Sequence, residues 1–150
     1  MNQRIALSAD HAGFALKDEL AAWLREAGHD IIDIGTNSID SVDYPDFGAR
    51  LARAIMAGEA DRGIAVCGSG IGIAIAINRF AQCRCAHVND PLSAELARTH
   101  NDANVLALGA RLVGPDMAKA CVTAFLGNDF LGGRHQRRVD QLSTLLQDSD

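Results

Sequence analysis

Two patterns of apolar residues alternate along the chain. Short apolar runs predict β-strands over 4–8, 30–34, 63–67, 84–88 and 105–108. Apolar residues that recur every three or four positions predict helices over 14–27, 45–56, 91–98 and 115–126, a short helix that ends at Asn78, and a final helix marked by Val139, Leu142, Leu145 and Leu146. Alternating strands and helices are typical of a parallel sheet covered on both faces. We therefore predict one α/β domain over residues 1–150: a doubly wound, Rossmann-like three-layer sandwich with a five-stranded parallel sheet and an extended C-terminal helix.

Proline and glycine mark the ends of these helices. Pro45, Pro91 and Pro115 fall at predicted helix starts, where the missing N–H of proline costs nothing. Gly28 and Gly58 follow two predicted helices and end them. Within the helix over 115–126 the spacing turns one face inward, formed by Met117, Ala118, Cys121, Val122 and Phe125.

The composition narrows the class of protein. The chain has 150 residues, 48% of them hydrophobic and 22% charged, which suits a globular domain with one core. Its formal net charge of −5 disfavours nucleic acid as a partner, because phosphate backbones are bound by basic surfaces. No apolar run approaches the roughly 20 residues of a membrane span, and no signal-type stretch follows Met1. We read the four cysteines as thiols in a reducing compartment and expect a cytoplasmic protein without membrane contact.

Polar residues follow four of the predicted strands. They are Asp10 and His11, then Cys67 with the turn over 68–72, then Asn89 and Asp90, and finally 109–111. Doubly wound sheets bind ligands beyond the carboxyl ends of their strands. The turn over 68–72 contains three glycines and opens a helix, so its N–H groups can face an anion. A tight turn without a ligand is the alternative.

Three common motifs fail at this turn. A dinucleotide fingerprint needs glycine where Ile73 stands, a nucleotide P-loop needs Gly-Lys-Ser/Thr, and a hydrolase elbow needs glycine where Cys67 stands. What is left is an anion cradle with Cys67 at its edge. A helix N-terminus favours a thiolate there, and a small buried apolar residue is the equal alternative. We read Cys83, Cys85 and Cys121 as packing residues.

Histidines and arginines add candidates for proton transfer and anion binding. His11 and His100 occupy polar segments, where a histidine can move protons near neutral pH or be an ordinary loop residue. Arg134 and Arg138 are four positions apart and share one helix face, so together they can grip a phosphate; a solvated basic patch is the alternative. With Arg111, this inventory suggests a small phosphorylated ligand.

Five stretches in fixed order resemble one family. They are SADHAGF at 8–14, DYP at 43–45, CGSGIG at 67–72, HNDANVL at 100–106 and GGRHQRRV at 132–139. Each is weak alone, but together they are specific and span nearly the whole chain. The chain closely resembles type B ribose-5-phosphate isomerases, within the ribose/galactose isomerase family.

The resemblance implies an aldose–ketose isomerase that interconverts ribose 5-phosphate and ribulose 5-phosphate without metal or another cofactor. Carried over by position, Cys67 moves a proton between C1 and C2, His100 assists ring opening, and Asp10 handles a sugar hydroxyl. The enediolate oxygen would be held by the turn formed by Gly68, Ser69, Gly70, Ile71 and Gly72. Phosphate and the rest of the sugar would be bound by His11, Tyr44, Asn101, Arg111, Arg134 and Arg138. The resemblance also implies a homodimer, or a dimer of dimers, whose active sites combine both subunits.

Departures from the family pattern leave the sugar open. One branch of the family has glutamate where this chain has Ile73, which cannot take a proton, so the cysteine branch fits. Ser69, Ala74, Ile77 and Leu92 stand where other residues are usual in the family. A four-carbon or six-carbon sugar phosphate is therefore an alternative substrate. The alternative from another class is a non-catalytic phosphosugar-binding subunit, and a nicotinamide oxidoreductase is disfavoured by Ile73.

Overall fold

The computed structural model describes residues 2–145, where strands and helices alternate as the apolar pattern predicts. In chain order the elements are β1 (Arg4–Ala9), α1 (Phe14–Glu26), β2 (Asp30–Gly35), α2 (Tyr44–Met56), β3 (Arg62–Cys67), α3 (Ile71–Ile77), β4 (Cys85–His87), α4 (Pro91–Asn101), β5 (Val105–Gly109), α5 (Pro115–Leu126) and α6 (Arg134–Thr144). Leu146, which the apolar pattern placed in the last helix, lies outside the described residues.

The five strands form one parallel sheet in the order β2-β1-β3-β5-β4. From β1 the chain winds outwards to β2, and from β3 it winds the other way, so the winding direction reverses between β1 and β3. In such sheets a crevice opens at the carboxyl ends of the two strands that flank the reversal. The predicted doubly wound fold is confirmed, and its crevice lies beside Asp10 and Cys67.

Two apolar layers cover the sheet. On one face α1, α4 and α5 pack against the sheet, with Leu20, Val122 and Phe125 fully buried. On the other face α2 and α3 pack through Leu51, Ile73 and other residues. Burial of a Leu, Ile or Phe side chain stabilises the fold by about 1.5–3 kcal/mol each. No helix within residues 2–145 combines the length and the apolar character that crossing a bilayer requires.

The helix ends follow the proline and glycine signals. Each of the three prolines lies in the first turn of its helix. Gly28 and Gly58 adopt φ values of 93° and 74°, the left-handed conformation that ends a helix. Helix α4 is longer than predicted and continues to Asn101, because Asp102 caps it at φ 46° and Arg98 pairs with that carboxylate at 2.9 Å.

Three residues predicted to pack inward or to mark an amphipathic face are exposed. Met117 is 43% exposed because it lies about 90° round α5 from the centre of the buried stripe, which is formed by Ala118, Cys121, Val122 and Phe125. Leu142 and Leu145, two of the residues that mark the predicted amphipathic helix, are 51% and 60% exposed. Val139, from the same predicted set, is buried together with His135 where α6 packs beside α4.

Candidate active site

A cleft of about 620 Å³ lies at the carboxyl edge of the sheet, where the winding direction reverses. It collects most of the predicted site residues: Asp10, His11, Tyr44, Cys67, Gly68, Ser69, Ile71, Gly72 and Arg111. Three further lining residues were not predicted from the sequence, namely Ala12, Ile75 and Leu112. Ala12 and Leu112 follow predicted site residues directly, whereas no chemical signal marks Ile75.

Cys67, the last residue of β3, lines this cleft. Cys67 is only 4% exposed and packs with the apolar layer of α2 and α3, yet it lines the cavity. The backbone N–H of Gly70 donates to Sγ at 3.1 Å. Gly70 adopts φ 78°, and an added Cβ would lie 2.8 Å from the backbone of Leu108, so only glycine fits there. The turn therefore places a backbone donor directly on the sulfur of Cys67.

The Asp10 carboxylate is fixed by the turn that precedes α1. Its Oδ1 accepts hydrogen bonds from the N–H groups of Ala12 at 3.0 Å and Gly13 at 3.1 Å. The residue is 7% exposed and lines the cleft. Its second oxygen, Oδ2, has no partner within the described chain and is left to meet a ligand.

The segment over 36–43, here called the β2–α2 loop, leads from β2 to Tyr44, which lines the cleft. It is anchored where it leaves β2, because Thr36 N–H donates to the Ala9 carbonyl at 2.8 Å. Asp33 nearby accepts from the fully buried ammonium group of Lys17 at 2.7 Å. Removal of one partner from a buried pair of this kind strongly destabilises a fold, so the pair holds α1 against β2 close to the start of the loop. At the other end of the loop, Val42 contacts the ring of His11.

Arg111 is held over the cleft by the turn after β5. Ala110 and Arg111 donate their backbone N–H groups to the carbonyls of Cys67 and Gly68, both at 2.9 Å. The guanidinium packs on Gly68, where an added Cβ would lie 2.9 Å from Nη1. Gly72 makes room for Tyr44 in the same way, since its added Cβ would lie 2.7 Å from Cζ of that ring. Two glycines of the turn thus serve close packing as well as the backbone path.

The other cysteines behave as packing residues. Burial raises the pKa of all three thiols, those of Cys83, Cys85 and Cys121. A thiol with a raised pKa is protonated at neutral pH and is a poor nucleophile. Among residues 2–145, no three His, Cys, Asp or Glu side chains converge as a metal site would require.

The other four predicted polar residues form a second cluster. His100 and Asn101 occupy the last turn of α4, and Arg134 and Arg138 lie on the first turns of α6. His135, which the sequence argument did not select, stacks on His100 with ring centroids 4.2 Å apart and ring planes 14° apart. Its own burial, together with the charges of His100, Arg134 and Arg138, lowers the pKa of His135. At neutral pH this lowered pKa favours the uncharged form of the His135 ring beside the two arginines.

The two clusters lie at opposite edges of the sheet in one chain. Cys67 pairs with Gly109 at the carboxyl end of β5, whereas Val105, which follows the second cluster closely in sequence, pairs with Gly63. Four residue steps along a strand span about 13 Å. Because α4 runs antiparallel to the strands, its last turn with His100 lies at the amino edge. One chain thus does not bring His100, Asn101, Arg134 and Arg138 to Cys67.

Comparison with known proteins places the chain among sugar-phosphate isomerases. The sequence profile of the family described as Ribose/Galactose Isomerase matches residues 5–142. Ribose-5-phosphate isomerase B of Escherichia coli is 48% identical over 145 residues, which cover 97% of each chain. The structure of ribose-5-phosphate isomerase B of Clostridium thermocellum has a TM-score of 0.96 at 44% identity and covers 98% of this chain and 99% of its own. The Mycoplasma genitalium enzyme, determined with bound ribulose-5-phosphate, has a TM-score of 0.92 at 35% identity, with 97% of each chain covered.

Proposed function

The chain belongs to the ribose/galactose isomerase family and is an isomerase, and we propose that it interconverts D-ribose 5-phosphate and D-ribulose 5-phosphate. The observation that carries this proposal is that Cys67 lines one cleft together with Asp10, His11 and Arg111. A base beside anion-binding groups is what an aldose–ketose proton transfer needs. The bound ribulose-5-phosphate of the Mycoplasma genitalium relative supports the five-carbon substrate.

The Cys67 thiolate is the proposed base. It removes the proton from C2 of the aldose, and the C–H electrons form the C1–C2 double bond while the carbonyl electrons move to O1 and give an enediolate. The hydroxyl proton of O2 then passes to O1, the carbonyl forms at C2, and the sulfur returns its proton to C1. A positioned base contributes typically ~10²–10⁴-fold. The developing oxyanion is held by backbone N–H groups of the turn over 68–72, with Ser69 beside them, and such a donor contributes ~10²–10³-fold. The Oδ2 atom of Asp10 is placed to take a hydrogen bond from a sugar hydroxyl.

Two copies of the chain complete each site in this proposal. A two-fold dimer would bring His100, Asn101, Arg134 and Arg138 of one copy to the Cys67 cleft of the other, and the symmetry would do so twice. Ile71 and Ile75 line the cleft and are 51% and 54% exposed, which supports coverage of this rim by a second copy. His11 and Arg111 of one copy and both arginines of the other would then surround the phosphate.

His100 is the proposed group for ring opening. Ribose 5-phosphate is mostly a closed ring, and its C1–O bond to the ring oxygen must break before a proton can leave C2. A neutral imidazole can take the proton of the O1 hydroxyl and pass one to the ring oxygen. The His135 ring that stacks on His100 has a lowered pKa, so the positive charge of this cluster at neutral pH lies mainly on Arg134 and Arg138.

A panel of sugar phosphates tests the substrate. We expect kcat/KM to be highest for ribose 5-phosphate among four-, five- and six-carbon aldose phosphates, because remote phosphate contacts orient the sugar over Cys67. A higher kcat/KM for a four-carbon or six-carbon member would replace the assigned substrate within the same reaction. Tight binding of these compounds without any turnover would favour the non-catalytic phosphosugar-binding subunit.

The arginines of α6 give a prediction about phosphate binding. Arg134→Ala and Arg138→Ala are each expected to raise KM for ribose 5-phosphate about tenfold or more with a smaller change in kcat, because a charge-assisted contact remote from C1 and C2 is lost. Arg137→Ala is the matched control, since it removes the same charge from the same turn of the helix. Steady-state kinetics on the three variants decides: equal KM values for all three would remove the arginine pair from the site.

A further inference from the structure

Two backbone groups of Val42, its N–H and its carbonyl, contact the inner nitrogen of the His11 ring. Nδ1 of His11 lies 3.1 Å from the backbone nitrogen of Val42 and 3.2 Å from the Val42 carbonyl oxygen. These contacts are alternatives, because the N–H can donate only to an unprotonated Nδ1 and the carbonyl can accept only from a protonated one. The outer nitrogen, Nε2, has no partner within residues 2–145, and the ring lines the cleft.

We propose that Val42 is a positioning residue that keeps His11 a hydrogen-bond donor towards the cleft in both of its charge states. In the neutral ring the shorter contact, from the Val42 N–H to Nδ1, leaves the proton on Nε2. In the cationic ring Nδ1–H donates to the Val42 carbonyl, and Nε2–H still faces the cleft. His11 then acts as a constant donor to the substrate phosphate and takes no part in acid–base steps. This inference rests on the proposed phosphate role of His11.

Within the described residues, the backbone of Val42 is the hydrogen-bond partner of the His11 ring. The titratable and charged groups around the His11 ring are Asp10, which follows β1, Asp43 and Tyr44 at the start of α2, and Cys67 and Arg111 across the cleft. Among residues 2–145, none of these side chains is hydrogen-bonded to His11. A neutral ring with the opposite tautomer would turn the Nε2 lone pair towards a phosphate oxygen, and the two lone pairs would repel. That tautomer would also set the Nδ1–H against the Val42 N–H, so the Val42 N–H disfavours it.

The tautomer can be read directly on the unmodified protein. We expect ¹⁵N NMR of the histidine rings, at a pH where His11 is neutral, to show the proton on Nε2. The signals of His11 are assigned by their loss in His11→Asn. A proton found on Nδ1 would overturn the inference, and this measurement needs neither substrate nor activity.

Replacement of Val42 by proline removes the N–H and keeps the carbonyl. We expect KM of Val42→Pro for ribose 5-phosphate to match that of Val42→Ala at low pH, where the cationic ring still donates from Nε2. As pH rises and the ring loses its proton, the ratio of the two KM values should climb about tenfold. Because Val42→Ala keeps the N–H, the ratio cancels the titration of the phosphate itself. A ratio that does not change with pH would contradict the inference.

His11→Gln and His11→Asn test the tautomer separately from the proposed function, and neither variant requires the loop to accept a proline. The amide nitrogen of glutamine can take the place of Nε2, whereas that of asparagine takes the place of Nδ1. We expect His11→Gln to bind inorganic phosphate, measured as a competitive inhibitor, about tenfold more tightly than His11→Asn. Equal weakening in both would contradict a donor at Nε2. Undiminished phosphate binding in both would instead remove His11 from the phosphate site, whatever tautomer the NMR shows.

Discussion

Cys67→Ala is expected to lower kcat by about a hundredfold or more while the fold and the binding of ribose 5-phosphate persist. The alanine removes the group that takes the C2 proton, and no other described side chain is placed to replace the sulfur beside the N–H of Gly70. Phosphate contacts by His11 and Arg111 do not involve the sulfur, so KM should change little. A loss confined to kcat is the mark of an interaction used in the transition state.

Isotope exchange sharpens the test of Cys67. In deuterated water the wild-type protein should exchange the proton at the reacting carbon, and Cys67→Ala should not. Cys121→Ala is the control, because Cys121 is fully buried in the opposite apolar layer and lines no part of the cleft. It should unfold at a lower temperature than the wild type yet keep its kcat. Near-normal turnover by folded Cys67→Ala would exclude the sulfur as the base.

The layers of this fold could be predicted from the sequence because local signals agree with each other. Proline at the start of α2, α4 and α5 coincides with the start of an apolar period, and such agreement is typical of a foldable sequence. The end of α4 could not be placed, because the Arg98–Asp102 pair that extends it depends on folded geometry. Met117 was misplaced for a similar reason: spacing gives the face of a helix but not the width of its buried stripe.

Most residues of the cleft could be predicted from the sequence. The distance between the cleft and the second cluster within one chain could not. Asp10 and Cys67 follow strands, and strand ends meet at one edge of a parallel sheet, so their proximity follows from the pattern. The order β2-β1-β3-β5-β4 skips a strand twice, which spacing alone does not reveal. The stack of His135 on His100 joins α6 to α4 and has no signal in the local sequence. Long-range packing decides these features.

A mixed dimer of two inactive variants is expected to recover activity if each active site combines both copies of the chain. The expected increase in kcat/KM is large, because each parent dimer is almost inactive. One chain carries Cys67→Ala, and the other carries His100→Asn with Arg134→Ala and Arg138→Ala. Each parent dimer should have less than about 1% of wild-type kcat/KM. In the mixed dimer one composite site combines the intact Cys67 cleft of one chain with the intact second cluster of the other. A two-fold arrangement therefore restores about half of the wild-type activity per dimer.

Co-expression of the two chains with different affinity tags, followed by purification on both, isolates the mixed dimer for kinetics with ribose 5-phosphate. The control pairs Cys67→Ala with Asp10→Asn, two changes in the same cleft. In that mixed dimer each composite site keeps one defect, so no recovery is expected. If every site were built from a single chain, the first pair would show no recovery either, since each chain would carry its own defect. Recovery in the first pair alone thus requires that Cys67 and His100 of different copies work together.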